Sequence, residues 1–360
     1  MRTVKWDITY KCNLNCAHCI NGELLGNLEG ELSTDEVISA IRNLSKDKVD
    51  YVHLLGGEPT ARKDFLQVIA EFEKENIDFG FNTNGLKLSN EEMMEKLVKN
   101  RSLKNIIISL EGPNSEINDA IRGKRVFDIT TKNLKHFIEL KQIFKREELR
   151  VTVNMVVSKA NFRYVSEMAN LCVDLGVSEL VLLQFIPEGN GKKNDMSLSI
   201  KDIKFLIGEV AIIYGKVKEK LDIIPKFVMP YAEKYCKVKY KKEFPKFYSM
   251  CGAGESFFFI NNKGEVFPCD SYQDKIIEKN NIEDLKIDSR DLLEIIDKEG
   301  FNDIFELTEG DDIYMGVEPC KDCEYLRKQC YPCVLSLMNT GGKVVNVCKA
   351  MKEEVESECF

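Results

Sequence analysis

Residues Val4-Lys-Trp-Asp-Ile-Thr-Tyr10 alternate apolar and polar side chains, and soon after the chain reads Cys12-Asn-Leu-Asn-Cys16-Ala-His-Cys19. The alternation is that of a β-strand, so three thiols follow directly on a strand's C-terminal end. Three thiolates within eight residues can wrap one metal centre, and there is no fourth cysteine nearby. A cubane iron–sulfur cluster held by three cysteines keeps one iron open, as a reactive cluster requires. The competing reading is a zinc site completed by His18. That histidine adjoins Cys19 and leaves little loop to close a tetrahedron.

Working outward, the first two-thirds of the chain repeats this strand. Runs at 50–56, 79–83, 105–112, 150–158 and 179–187 read as strands. Between them lie helical stretches from about Lys63 to Lys74, Asn90 to Lys99, Thr130 to Leu140 and Tyr164 to Leu175. Another helix opens with the capping-box pattern Ser33-Thr-Asp-Glu36, ahead of Val37, Ile38, Ile41 and Leu44. Six strands alternating with helices imply parallel pairing through crossover helices. The class is therefore α/β: a closed or partly open barrel, with a doubly wound sheet giving the same alternation. Beyond about residue 225 the rhythm breaks. The expectation is a barrel over 1–225, a linker over 226–250 and a small cysteine-rich domain over 251–360, organised around metal rather than a large apolar core.

Composition narrows the class. The 360 residues are 44% hydrophobic and 31% charged, which excludes disordered, collagen-like and membrane-embedded chains. A net charge of −8 argues against a nucleic-acid partner. The start has no signal-peptide core, and the greasiest run, Phe205 to Gly215, is short and holds Glu209. The reading is a cytoplasmic protein with no membrane partner, in which clustered thiols stay reduced and bind metal. Thirteen cysteines against three histidines make sulfur the main ligand. The basic and aromatic residues between Lys234 and Lys246 read as a solvated or amphipathic connector.

Polar and glycine residues recur where the predicted strands end. Gly56-Gly57-Glu58-Pro59 ends the second, Thr83-Asn84-Gly85 the third and Ser109-Leu110-Glu111-Gly112 the fourth. Glycine lets a ligand approach the backbone, and Glu58 can accept hydrogen bonds from an ammonium group. This is the layout of one extended ligand lying across a barrel's C-terminal face.

Together these motifs resemble the radical S-adenosylmethionine (SAM) superfamily. The resemblance implies a partial (β/α)6 TIM-like barrel in which Cys12, Cys16 and Cys19 hold a [4Fe–4S] cluster that binds SAM. By the same resemblance Gly56, Gly57, Glu58 and Pro59 meet the methionine amino group, and Ser109 and Arg122 contact SAM. Asn84 at the third strand's edge and His18 in the cysteine loop join the candidate cofactor contacts. The later cysteines resemble a SPASM domain with two auxiliary [4Fe–4S] clusters, three clusters in all. Cys320, Cys323, Cys330 and Cys348 would hold one, and Cys251, Cys269 and Cys333 the other. The spacing between Cys323 and Cys330 is one residue longer than the family's, and the next is one shorter. Cys236 is the candidate to close the three-cysteine set, which otherwise keeps an open iron. Cys172 reads as core and Cys359 as a tail thiol.

Within that family the chain looks most like maturases of ribosomally made peptides, the mycofactocin type included. Phe267-Pro-Cys-Asp270 and the length resemble anaerobic sulfatase maturases, which makes Asp270 the candidate catalytic base. The implied partners are a peptide or protein substrate, a flavodoxin- or ferredoxin-type reductant and, with eleven residues ahead of Cys12, either a separate leader-peptide recognition protein or direct capture of a short peptide by the barrel mouth and the 225–250 segment. An iron–sulfur electron carrier and a zinc-stabilised scaffold are the non-enzyme alternatives. Colour separates zinc from the rest: anaerobically purified protein should be brown with broad visible absorbance, and a colourless zinc protein would overturn the iron–sulfur reading.

Overall fold

The computed structural model of the chain describes residues 1–227, 230–246, 251–298, 300–303, 306, 314, 317–318, 320–333 and 343–357. Cys359 lies outside them. Seven parallel strands follow one another in chain order: β1 (Thr3–Thr9), β2 (Tyr51–Gly56), β3 (Asp78–Thr83), β4 (Leu103–Ser109), β5 (Arg150–Val157), β6 (Glu179–Gln184) and β7 (Asp222–Pro225). On the free side of β1 lies β8 (Phe257–Ile260), also parallel, and beyond it the antiparallel β9 (Val266–Phe267). The sheet order is thus β7-β6-β5-β4-β3-β2-β1-β8-β9. A doubly wound sheet reverses direction at a switch point. This one does not reverse, so crossovers of one hand stack their helices on one side and leave the other face to line a partial barrel.

The stacked helices are α1 (Thr34–Lys46), α2 (Phe65–Lys74), α3 (Glu91–Lys99), α4 (Ser115–Arg122), α5 (Val126–Ile143), α6 (Val165–Leu175) and α7 (Ile200–Val217). They are followed by α8 (Tyr231–Lys239), the short α9 (Gln273–Ile277) and α10 (Leu292–Ile296), and α11 (Lys343–Ser357). Ser33 caps α1 as the sequence anticipates: Glu36 N–H donates to its hydroxyl, and Ser33 N–H to the Glu36 carboxylate. Strand alternation sets the two faces. Val4, Trp6 and Ile8 of β1 are at most 1% exposed in the helix-side core, so Lys5, Asp7 and Thr9 turn inward. Cys172 is core in α6, as expected. No helix among the described residues is long and apolar enough to cross a membrane.

Two expectations need correcting. The region after residue 251 does not stand apart from the barrel's apolar core. Phe258, Phe259, Ile260, Val266 and Phe267 pair into the barrel sheet, and Leu285, Ile287, Leu292 and Ile295 extend the same core cluster. The segment expected as a linker carries α8, with Ala232, Tyr235 and Cys236 buried against α7 and α11. Its Tyr235 hydroxyl donates to Glu354 of α11 at 3.0 Å, and Lys234 pairs with Glu324 at 3.0 Å. The connector is amphipathic, with Lys234 and Lys239 on its polar side paired to Glu324 and Glu354. Phe259→Ala should therefore lower one shared unfolding transition, by about 3–5 kcal/mol. Calorimetry showing an unchanged barrel transition beside a second, shifted one would mean that the two parts fold separately.

Candidate active site at the barrel's C-terminal edge

The loop bearing Cys12, Cys16 and Cys19 is tied down from several strand ends at once. Gly57 N–H donates to Thr9 O at 2.7 Å and Glu58 N–H to Lys11 O at 2.8 Å, joining the end of β2 to the start of the loop. Gly56 has φ +116°, and a Cβ there would lie 2.1 Å from Thr9 O, so only glycine allows this approach. From the end of β3, Asn84 Nδ2 donates to Asn13 Oδ1 at 2.8 Å. From the end of α4, Ile121 O accepts from Ala17 N–H at 2.9 Å. From the loop after β6, Asn190 Nδ2 donates to Cys16 O at 2.9 Å. Leu14 N–H points at Cys12 Sγ from 3.4 Å.

Glu58 is 1% exposed, and its carboxylate already accepts from Thr60 Oγ1 at 2.6 Å, Thr83 Oγ1 at 2.8 Å and Asn84 N–H at 2.7 Å. It clamps the ends of β2 and β3 together. Burial raises its pKa, opposed by these donors. The Asn84 and Thr130 side chains continue the clamp, Thr130 Oγ1 donating to Asn84 O at 2.8 Å. Pro59 starts a short 3-10 turn beyond the glycines. Ser109 ends β4 opposite Asn154 of β5.

Beside the cysteine loop lies a buried charged group that the motifs do not reveal. Glu111 Oε1 accepts from Arg122 Nη1 at 2.9 Å and stands 3.2 Å from His18 Nε2, while Oε2 accepts from Val156 N–H at 2.7 Å. Glu111 is 1% exposed and Arg122 8%. The His18, Arg122 and Val156 contacts outweigh desolvation and hold the Glu111 carboxyl below the usual range. Glu111 sits within the strand-edge stretch flagged in the sequence, but nothing local marks it as the partner of both His18 and Arg122. Asn190 carried no sequence signal at all.

The later cysteines fall into two groups. Cys320, Cys323, Cys330 and Cys348 line one cavity of about 450 Å³ between α8 and α11. Cys251 and Cys333 lie close enough to Cys269 for their charges to act on it. Cys236 does not join them: it is fully buried in α8, its thiol directed at Ile207 O of α7 from 3.9 Å. The expectation that it closes the three-cysteine set is thereby corrected, because helix packing takes its sulfur into the core. Asp270, the candidate base, is ion-paired to Lys5 of β1 and 44% exposed.

These residues fit an iron–sulfur cluster and a polar ligand. Burial pushes the Cys19 thiol up to about 11 and the Cys269 thiol up to about 12, so these two remain protonated until a cation replaces their protons. His18 Nδ1 and Arg122 Nε are buried without a hydrogen-bond partner among the described residues, beside the thiols. Buried polar atoms left open in this way are the kind a bound polar ligand satisfies.

Comparison with known proteins agrees with this geometry. Residues 6–172 match the Radical SAM superfamily model and residues 251–324 the SPASM iron–sulfur cluster-binding domain. The mycofactocin maturase MftC of Mycolicibacterium smegmatis is 32% identical over 187 residues, 52% of this chain and 45% of that protein. An AdoMet-dependent heme synthase of Methanosarcina barkeri is 25% identical, covering 74% of this chain and 76% of its own length. The PqqA peptide cyclase of Bradyrhizobium diazoefficiens is 26% identical, covering 89% and 77%. The chain spans less than half the length of the mycofactocin maturases it matches. The solved structure of anSMEcpe with bound AdoMet superposes with a TM-score of 0.66 at 18% identity, over 100% of this chain and 96% of that one, and so shares the fold. The chain thus carries a Radical SAM domain over residues 6–172 and a SPASM domain over residues 251–324.

Proposed function

We propose that this chain is a peptide-modifying radical SAM enzyme that abstracts a hydrogen from a peptide side chain or backbone. The observation that carries the reading is the single loop that brings Cys12, Cys16 and Cys19 against the ends of β2, β3, α4 and the loop after β6. Bound there, a [4Fe–4S] cluster would supply the electron that splits SAM into methionine and a 5′-deoxyadenosyl radical. The chain's own part is to hold and orient. Gly56, Gly57 and Pro59 give the ligand backbone access, and Glu58 and Asn84 keep that edge rigid. Arg122, His18 and Ser109 offer polar contacts, with Glu111 fixing the first two. Cys320, Cys323, Cys330 and Cys348 would hold one auxiliary cluster. Cys251, Cys269 and Cys333 would hold another, three-coordinate from the protein, which brings the total to three.

A peptide is favoured because similarity to the PqqA peptide cyclase runs over most of both chains. The heme synthase relative makes an iron porphyrin the second reading. A net charge of −8 disfavours that polycarboxylate. The partners of the reading are a peptide or protein substrate and a flavodoxin- or ferredoxin-type reductant, in the cytoplasm.

Reconstituted protein given dithionite and SAM should yield 5′-deoxyadenosine. Cys12, Cys16 and Cys19 changed together to Ala should abolish it while iron remains in the auxiliary sites; persistence of the product would sink the assignment. Mass spectrometry of parallel reactions with a short peptide encoded by a reading frame next to this chain's own (the neighbouring-gene peptide) and with iron coproporphyrin decides between the substrates. Glu111→Gln should lower stability by about 3–5 kcal/mol, since it leaves the Arg122 charge buried and unpaired. An unchanged urea midpoint would remove Glu111 from its fixing role.

A further inference from the structure

The inward face of β1 carries two charged residues outside the SAM site, Lys5 and Asp7. They are two residues apart on one face, about 7 Å along the strand. Lys5 reaches across to Asp270, the residue after Cys269. Asp7 lies toward the other end. Asn21 Nδ2, two residues past Cys19, stands 3.5 Å from Asp7 Oδ2 and 3.1 Å from Gly56 O. Along β1 the inward-facing order is therefore the Cys12–Cys19 loop, then Asp7, then Lys5, then Asp270 with Cys269. A substrate side chain lying between the first cysteine loop and Cys269 must pass Asp7.

Asp7 is a poorly satisfied carboxylate for its burial. It is 7% exposed, its contact from Asn21 is at the limit of a hydrogen bond, and the Tyr10 hydroxyl faces it. Asp270 is more exposed and already has the Lys5 ammonium on its Oδ2. An ion-paired carboxylate is a weaker proton acceptor than a buried one held without a cation in contact.

Resting on the peptide-modifying reading above, we propose that Asp7 is the proton acceptor for the substrate, and that Lys5 is a positioning residue that holds Asp270 away from that task. The step balances as follows. A substrate C–H gives its hydrogen atom to the 5′-deoxyadenosyl group, forming 5′-deoxyadenosine and a carbon radical. A neighbouring substrate heteroatom X–H then bonds to that carbon. The X–H bond breaks, its proton passes to Asp7 Oδ, and one electron leaves to an oxidised iron–sulfur acceptor of the auxiliary set.

Burial pushes the Asp7 carboxyl up to about 6, with Asp270 adding to the rise and Lys5, Tyr10 and Asn21 opposing it. Glu265 also acts on Tyr10. Asp7 accepts only when ionised, so product formation should rise with pH through about 6 and fall below it. A group poised near the working pH is suited to this transfer.

The test uses the reconstituted holoenzyme. Without substrate, infrared spectroscopy of protein carrying 13C-labelled aspartate should show a protonated carboxyl band titrating near pH 6 that Asp7→Asn removes. With SAM, dithionite and the neighbouring-gene peptide, Asp7→Asn should still form 5′-deoxyadenosine but lose modified peptide by about a hundredfold or more. Lys5→Met should move the acid limb to higher pH, because the opposing cation is gone, whereas Asp270→Asn should move it lower. Asp7→Glu should recover part of the product, and it carries the test along with Lys5→Met if Asp7→Asn does not fold. Wild-type product per deoxyadenosine in Asp7→Asn, or an infrared band unaffected by that change, overturns the proposal. A wild-type enzyme that leaves the peptide unmodified counts against the peptide reading instead, and the infrared result then decides Asp7 alone.

Discussion

Where β1 meets β2, two main-chain hydrogen bonds and one steric exclusion fix the rest of the site. Gly57 and Glu58 N–H reach Thr9 O and Lys11 O, and Gly56 leaves no room for a side chain over Thr9 O. That contact sets the direction in which the chain leaves β1, and so where Cys12, Cys16 and Cys19 go. A side chain at Gly56 would push the two strands apart at the point where the thiols are launched. Glu58 then ties the same corner to β3 through Thr83 and Asn84. The corner is rigid because its buried polar atoms are paired within the protein.

Charge is handled differently on the two sides of the cysteine loop. On one side Glu111 gathers Arg122 and His18 into a buried polar group whose remaining atoms, the Arg122 Nε–H donor and the His18 Nδ1, are left open. A single buried Arg–Glu pair contributes little net stability, since desolvation cancels most of the attraction. Its value lies in orientation: two cationic or hydrogen-bonding heads are held beside the thiols with no room to swing. On the other side, inside the barrel, Lys5 and Asp270 form a half-exposed pair while Asp7 stays buried nearby. Carboxylates in such unlike surroundings have unlike proton affinities, which lets neighbouring groups take different parts in one reaction.

The SPASM region is mechanically part of the barrel. Strand β8 extends the parallel sheet beside β1 and pairs in turn with β9, so the segment that leads to Cys269 and Asp270 is registered through β8 against the strand that carries Asp7 and leads to Cys12. Helix α8 packs between α7 and α11 and closes the cavity lined by four further thiols. The spacing between the cysteine groups is therefore set by strand pairing and helix packing rather than by a flexible connector.

Much of this was legible in the sequence. Alternating and 3.6-residue periodicities placed β1 to β6 and five of the helices within a few residues, because each element buries one face against a common core. The Cys12–Cys19 spacing and the Gly56-Gly57 pair marked the site, since thiol clusters and backbone-exposing glycines are local chemistry. Periodicity could not separate a barrel from a doubly wound sheet: both bury the same faces, and only strand order differs. Nor could it show that Phe257–Ile260 pairs with β1, that Cys236 points into the core, that Lys5 meets Asp270, or that Glu111 bridges His18 and Arg122. Each of these joins residues far apart in the chain. A side chain's local surroundings fix its face and burial, but its partner is chosen by packing over the whole molecule, which tertiary structure alone decides.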